Sequence, residues 1–103
     1  MSTRKSEAVR LLERLTGGPV TFGGFLEAVR LGEEMTQPAF AERLGILKSH
    51  LSDIEKGRKA VSPDRAARFV KILGYAQARL VKLALQDLVD RSRLKLHVDV
   101  KAA

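Results

Sequence analysis

The apolar residues of this chain recur mostly three and four positions apart, and glycine, proline or short polar residues separate the stretches that share this spacing. Such spacing is typical of amphipathic helices that place one face against a core. It predicts an all-α domain over residues 20–91 with five helices. We expect these helices over residues 22–34, 37–44, 48–56, 63–73 and 76–90.

The N-terminal residues form a separate helical stretch. Ala8, Leu11, Leu12 and Leu15 have helical spacing, and Thr-Gly-Gly-Pro at residues 16–19 ends the pattern. Glycine commonly ends a helix, and proline cannot continue one. Residues 1–19 are therefore predicted to form a short amphipathic arm, which either packs on the core or binds a partner.

The C-terminal residues 92–103 change from a helical period to a period of two. Polar residues alternate there with four apolar ones, Leu94, Leu96, Val98 and Val100. Alternation predicts a half-buried β-strand, and a lone strand is not stable in water. We expect these four residues to form a dimer or partner contact. The strand would pair with another segment of the chain, with a second copy, or with a different protein.

The segment from Thr36 to Lys59 is the most informative part of the sequence. Its apolar residues, Phe40, Ala41, Leu44, Leu51 and Ile54, fit the inner faces of two short helices joined by a turn at Gly45. The second helix also carries small and polar residues that a core does not require. This arrangement predicts a helix-turn-helix whose second helix is exposed.

The positive charge of the chain is concentrated in and after this segment. The net charge is +7, and residues 43–82 hold the whole excess, with ten Lys or Arg and three Asp or Glu. The remaining residues carry nine charges of each sign. A polyanion such as double-stranded DNA is the simplest partner for a basic patch. The alternative is an ordinary solvated basic surface.

Several classes of protein and site are disfavoured by composition. The chain has no cysteine, which excludes disulfides and thiolate metal sites. No apolar run approaches the roughly 18 residues that span a bilayer. The N-terminal apolar stretch contains charges, unlike a secretory signal. We expect a cytoplasmic protein with no membrane association and no cofactor.

Neither catalysis nor metal binding is expected. Ser49, His50 and Asp53 have the residue types of a hydrolytic triad. Adjacent residues of one helix point about 100° apart, so Ser49 and His50 do not converge as the mechanism requires. His50 and His97 are the only histidines and lie on different elements. The sequence therefore gives no support for an enzyme.

Residues 40–58 resemble the lambda-repressor-like, Xre-type helix-turn-helix family. Their sequence is Phe-Ala-Glu-Arg-Leu-Gly-Ile-Leu-Lys-Ser-His-Leu-Ser-Asp-Ile-Glu-Lys-Gly-Arg. The shared features are Gln37, Ala41, Gly45 and the Ile-Glu-x-Gly-x-Arg ending, here with Arg58 one place early and Lys59 at the usual arginine position. The resemblance covers about residues 22–75. It implies a five-helix DNA-binding domain in which Arg30 and Glu55 form a structural ion pair.

The resemblance also implies which residues contact DNA. Exposed residues of the recognition helix face base edges in the major groove: Lys48, Ser49, His50, Ser52 and Asp53. Gln37, Arg58 and Lys59 are expected to contact phosphates. One departure concerns Leu47, which stands where the family has a Ser or Thr cap and cannot accept a capping hydrogen bond. Leu47 either extends an apolar plug with Ile46, or contacts a thymine methyl group or a partner.

The flanking sequences narrow the functional hypothesis. Thr-Phe-Gly at the start of the first helix, the Ser-His-Leu-Ser-Asp-Ile-Glu-Lys-Gly-Arg stretch and the terminal strand are similar to HigA-type antitoxins. The resemblance implies a homodimeric transcriptional repressor that regulates its own operon and binds a cognate toxin. The alternative is a stand-alone prophage or mobile-element repressor with no toxin partner.

Overall fold

The computed structural model describes residues 21–101 and residue 103, so the predicted N-terminal arm lies outside the described residues. Its secondary structure is all-α, as expected. The helices are α1 (Phe22–Gly32), α2 (Gln37–Leu44), α3 (Lys48–Glu55), α4 (Pro63–Leu73) and α5 (Gln77–Arg91). None of the helices in these residues combines the length and hydropathy needed to cross a lipid bilayer.

The chain divides after Lys59 into two compact units. We call residues 21–59, which carry α1–α3, the first unit, and the described residues from Ala60 onward, which carry α4 and α5, the second unit.

Short polar residues and glycine set the helix boundaries of the first unit. The hydroxyl of Thr21 accepts a hydrogen bond from the Gly24 amide at 3.0 Å and begins α1. The hydroxyl of Thr36 accepts from the Ala39 amide at 3.3 Å and begins α2. These bonds satisfy first-turn amides that have no partner within the helix. Gly45 ends α2 in the left-handed region, with φ of 74°, where a side chain would be strained.

The core of the first unit contains an unusually close contact between α1 and α3. Phe22, Phe25, Leu26, Phe40 and Leu51 are almost completely buried. A Cβ atom added at Gly23 would overlap the Ile54 carbonyl oxygen and lie 2.9 Å from its carbon. Glycine at position 23 therefore allows the backbones of α1 and α3 to approach, which costs some helix propensity within α1.

In the second unit, α4 packs against α5. The buried residues of α4 are Ala66, Phe69, Val70 and Leu73, and Gly74 ends the helix at φ of 81°. Helix α5 has an apolar set that is only partly covered, because Leu80 and Ala84 alone are buried while Leu88 is 37% exposed.

Helix α4 begins at Pro63, as predicted, but without a side-chain cap. Ser62 occupies the N-cap position, but its side chain makes no capping hydrogen bond. A hydrogen bond with Ser62 is instead the main cause that lowers the pKa of the Asp64 carboxyl. Pro63 and Asp64 still favour a helix start at this point, through the fixed φ of proline and the attraction between an acid and the helix dipole.

The prediction of a C-terminal β-strand is wrong for the single chain. Within the part of the chain that the structure describes, the tail (residues 92–101) contains no strand. Leu94 and Leu96 are 52% and 59% exposed, while Val98 and Val100 are half-buried. A strand requires a neighbouring backbone, and the side chain of Gln86 occupies that place for Leu96 and Val98.

Candidate nucleic-acid interface

The candidate interface is built on a buried carboxylate at the end of α3. The side chain of Glu55 is completely buried, and the Arg30 side chain beside it is 12% exposed. Arg30 Nε donates to Glu55 Oε2 at 2.8 Å, and an Nη atom of Arg30 donates to Oε1 at 3.1 Å. This two-pronged contact is the strongest geometry available to an arginine–carboxylate pair, and it raises the pKa of the Arg30 guanidinium.

The same carboxylate also binds α2. Gln37, the first residue of α2, donates from Nε2 to Glu55 Oε1 at 3.0 Å. Arg30 in turn donates to the Met35 carbonyl, in the loop between α1 and α2, at 3.1 Å. Glu55 thus links α1, α2 and α3 through hydrogen bonds that satisfy its charge, and this linkage fixes the orientation of α3 within the first unit.

The fully accessible residues of α3 lie in its first turn. Leu51, Ile54 and Glu55 are buried, and residues three and four apart share a face of a helix. Of the residues predicted to contact bases, Lys48 and Ser49 are exposed, and His50, Ser52 and Asp53 are half-buried. The structure thus places all five on α3, with Lys48 and Ser49 fully accessible at its N-terminal end.

Leu47 belongs to this accessible surface. It occupies the N-cap position of α3 without a side-chain capping bond, and it is 74% exposed. Leu47 therefore does not extend an apolar plug with Ile46. Its exposure beside Lys48 makes it a candidate for contact with a thymine methyl group, a type of apolar contact that occurs in the major groove. A contact with a partner, the third interpretation of Leu47, also stays a prediction.

Asp53 lies in a cluster with two residues predicted to contact phosphate. Its carboxylate accepts a hydrogen bond from Arg58 Nε at 2.8 Å and forms an ion pair with Lys59 Nζ at 3.6 Å. Its backbone carbonyl accepts from the Arg58 amide at 2.8 Å. The hydrogen bond from Arg58 is the largest cause that lowers the pKa of Asp53. The carboxylate therefore stays charged at neutral pH, and its ion pairs are lost only as the pH falls through that lowered pKa.

The three predicted phosphate contacts differ in their surroundings. Arg58 and Lys59 are exposed and extend from the loop after α3. Gln37 is half-buried, and its amide nitrogen is directed to Glu55. In this arrangement Gln37 supports the position of α3. The sequence could suggest that Gln37 lies at a helix start, but it could not show that a residue 18 positions later accepts its hydrogen bond.

The Arg30–Glu55 pair generates a stability prediction. We expect Arg30→Ala to lower the free energy of unfolding by about 3–5 kcal/mol, because it leaves the buried Glu55 charge without its cation. The matched control is Arg43→Ala, which removes an ion pair with Glu33 in which both side chains are at least 35% exposed. That change should cost less than about 1 kcal/mol. Denaturant unfolding of both variants measures the difference, and equal losses would contradict the proposed importance of Glu55.

Comparison with known families agrees with this geometry. The model of a family described as a helix-turn-helix domain matches residues 21–83, which contain α1–α4 and part of α5. Comparison with curated proteins and with solved structures gave no match. The matched range is more than half of the 103 residues, and it includes the exposed face of α3 and the Asp53–Arg58–Lys59 cluster. The chain therefore belongs to the helix-turn-helix domain family, a class of DNA-binding domain.

Proposed function

We propose that the chain is a homodimeric, sequence-specific transcriptional repressor that regulates its own operon as the antitoxin of a toxin–antitoxin pair. The observation that supports DNA binding is the difference between the two ends of α3. The helix is fixed to the first unit through Leu51, Ile54 and Glu55, and its first turn presents Lys48 and Ser49 to solvent. A rigid helix with a polar exposed face suits insertion into the major groove.

The proposed base contacts come from the exposed face of α3. Lys48 donates to guanine O6 and N7, and the serines at positions 49 and 52 donate or accept, as does His50. Leu47 adds an apolar contact with thymine. Asp53 is the least favourable of the predicted base contacts, because its carboxylate already forms ion pairs with Arg58 and Lys59.

The proposed phosphate contacts come mainly from the loop after α3. Arg58 and Lys59 are exposed cations next to the recognition helix in sequence, and such residues set the position of a protein on the duplex. Gln37, already bound to Glu55, contributes through its position at the start of α2. Binding should weaken steeply with salt, because each neutralised phosphate releases counterions.

Two arguments support a homodimer: the exposed apolar residues of the second unit, and the need for two recognition helices on adjacent half-sites of DNA. Four of the six large apolar residues that are exposed in the described residues lie there: Ile72, Leu88, Leu94 and Leu96. A two-fold axis would place two copies of α3 about 34 Å apart, on half-sites one helical turn apart. A dimer doubles the number of base contacts available to this short helix.

The antitoxin part rests on the resemblance and on the exposed apolar surface, which DNA binding does not use. The second candidate, a stand-alone repressor, is favoured if that surface is used only between two copies of the chain. Purification of the tagged chain from its native operon distinguishes the two. A stoichiometric product of the neighbouring reading frame would support the antitoxin, and the chain alone would support the stand-alone repressor.

Two substitutions separate base contacts from phosphate contacts. On a site selected from random duplexes, Lys48→Ala should weaken binding by about 1–3 kcal/mol while changing random-DNA affinity little. Arg58→Ala should weaken binding to both duplexes alike and reduce the salt slope by about one. Fluorescence anisotropy at several salt concentrations measures both effects.

Arg43→Ala is the charge-matched control for these variants, because Arg43 is an exposed cation of the first unit paired with Glu33. It should change neither the specificity ratio nor the affinity by more than about twofold, as expected for surface substitutions away from the site. If Lys48→Ala lowers only random-DNA affinity, Lys48 does not contact bases.

Asp53→Asn tests the two roles open to Asp53. If the carboxylate mainly neutralises Arg58 and Lys59, the variant should bind random DNA more tightly and with a salt slope steeper by about one. If Asp53 accepts a hydrogen bond from cytosine, affinity for the selected site should fall instead. Glu42→Gln changes the net charge equally on an exposed residue of α2 and is the control. An equal gain in both variants would refute the neutralising role.

A further inference from the structure

One side chain holds the tail against α5. The Gln86 carboxamide donates from Nε2 to the Leu96 carbonyl at 2.8 Å and accepts from the Val98 amide at 2.8 Å. Gln86 Nε2 also donates to Asp90 Oδ1 at 2.9 Å, which orients the carboxamide. A single carboxamide can bond both backbone groups only if they point to the same side, as the carbonyl of residue i and the amide of residue i+2 do in an extended strand.

The two edges of this extended segment differ in how many of their backbone groups form hydrogen bonds. On the even-numbered edge, the Leu94 amide donates to the Val89 carbonyl, and Gln86 binds the Leu96 carbonyl and the Val98 amide. The Val100 amide donates to Asp99 Oδ1, so this edge is partly occupied. The odd-numbered edge consists of the backbone groups of Lys95, His97 and Asp99. Within residues 21–101 these groups form no hydrogen bond. An open edge of this kind is a template for a further strand.

We propose that the open edge pairs with the same edge of a second copy, in an antiparallel ribbon whose two-fold axis passes between the two His97 residues. In this register Lys95 of each copy lies opposite Asp99 of the other, so opposite charges meet twice. Leu96 lies opposite Val98 and Leu94 opposite Val100, which joins the exposed leucines to the half-buried valines on one face.

Charge disfavours several alternative registers, but not an axis at Leu96, which would place Asp99 opposite Arg93. That register would instead crosslink a Leu96→Cys chain with itself. An axis at Lys95 would place two lysines opposite each other, and an axis at Asp99 would do the same with two aspartates. Like charges directly opposite are destabilising, whereas opposite charges and apolar pairs contribute favourably. The pairing uses the one edge that Gln86 leaves open, so the intramolecular contacts and the ribbon do not compete.

The ribbon rests on the proposed homodimer, and it identifies the tail as the segment through which the two copies pair. A two-stranded ribbon alone is marginal in water, but each strand here is attached to α5 through Gln86. The exposed Leu88 of α5 and Ile72 of α4, in the same unit, supply further apolar surface for a dimer.

Charge reversal tests the pairing of Lys95 with Asp99. Lys95→Asp and Asp99→Lys should each raise the dimer dissociation constant about tenfold, because each single change creates two like-charge pairs in the dimer. The double variant Lys95→Asp/Asp99→Lys restores opposite charges and should return to within about threefold of the unchanged chain. Sedimentation equilibrium measures all four proteins. If the singles dimerise as tightly as the unchanged chain, the proposed register is wrong.

Cysteine crosslinking tests the register independently of affinity. The chain has no cysteine of its own. Residues 96 and 98 would form a non-hydrogen-bonded pair with Cα atoms about 4.5 Å apart, a distance that a disulfide can span. A mixture of Leu96→Cys and Val98→Cys chains should therefore form a disulfide-linked dimer under mild oxidation. Either variant alone should not, because two copies of one position lie beyond the roughly 7 Å limit.

These measurements separate failure of the ribbon from failure of the proposed function. A dimer that tolerates every tail variant and gives no mixed disulfide would overturn the ribbon and leave the homodimer in place. A monomer for the unchanged chain would overturn both the ribbon and the proposed homodimer. DNA binding by the same samples, measured by anisotropy, reports on α3 separately.

Discussion

The buried carboxylate of Glu55 is the constraint on which the first unit depends. A charge with no solvent exposure must be satisfied by partners, because burying it unpaired is costly. Here Arg30 supplies the opposite charge and Gln37 an additional hydrogen bond. Each partner lies on a different helix, so the chemistry of one side chain determines how three short helices meet. Helices of eight residues have little stability of their own, which makes such tertiary links essential.

Fixing α3 in this way has a direct consequence for function. A helix that contacts base edges must be held rigidly, since hydrogen bonds to bases depend on distance and direction. Glu55 is the last residue of α3, and Gly23 allows the α3 backbone to approach α1 beside it. The buried side of α3 is thus anchored at its C-terminal end. Lys48, Ser49 and Leu47, at the other end, remain accessible.

The sequence was sufficient where local chemistry decides the structure. Thr21 and Thr36 begin helices because their hydroxyls accept from nearby amides, and Gly45 ends one because it tolerates positive φ. The sequence was insufficient where a side chain forms a hydrogen bond with a residue that is distant along the chain. The hydrogen bonds of Gln37 to Glu55 and of Gln86 to the tail depend on tertiary structure. The alternation of apolar and polar residues in the tail predicted a strand. A strand forms only beside another backbone, and the sequence of one chain does not show whether such a backbone is present.

We propose that the accessible residues of α3 and the loop after it form the DNA contact. The most direct measurement is a titration of the ¹⁵N-labelled chain with its selected DNA duplex, followed by amide chemical shifts. We expect the largest changes at residues 47–53 and at Arg58 and Lys59, with small changes at buried residues such as Phe25. Changes confined to α5 and the tail, with α3 unaffected, would contradict a DNA contact through α3.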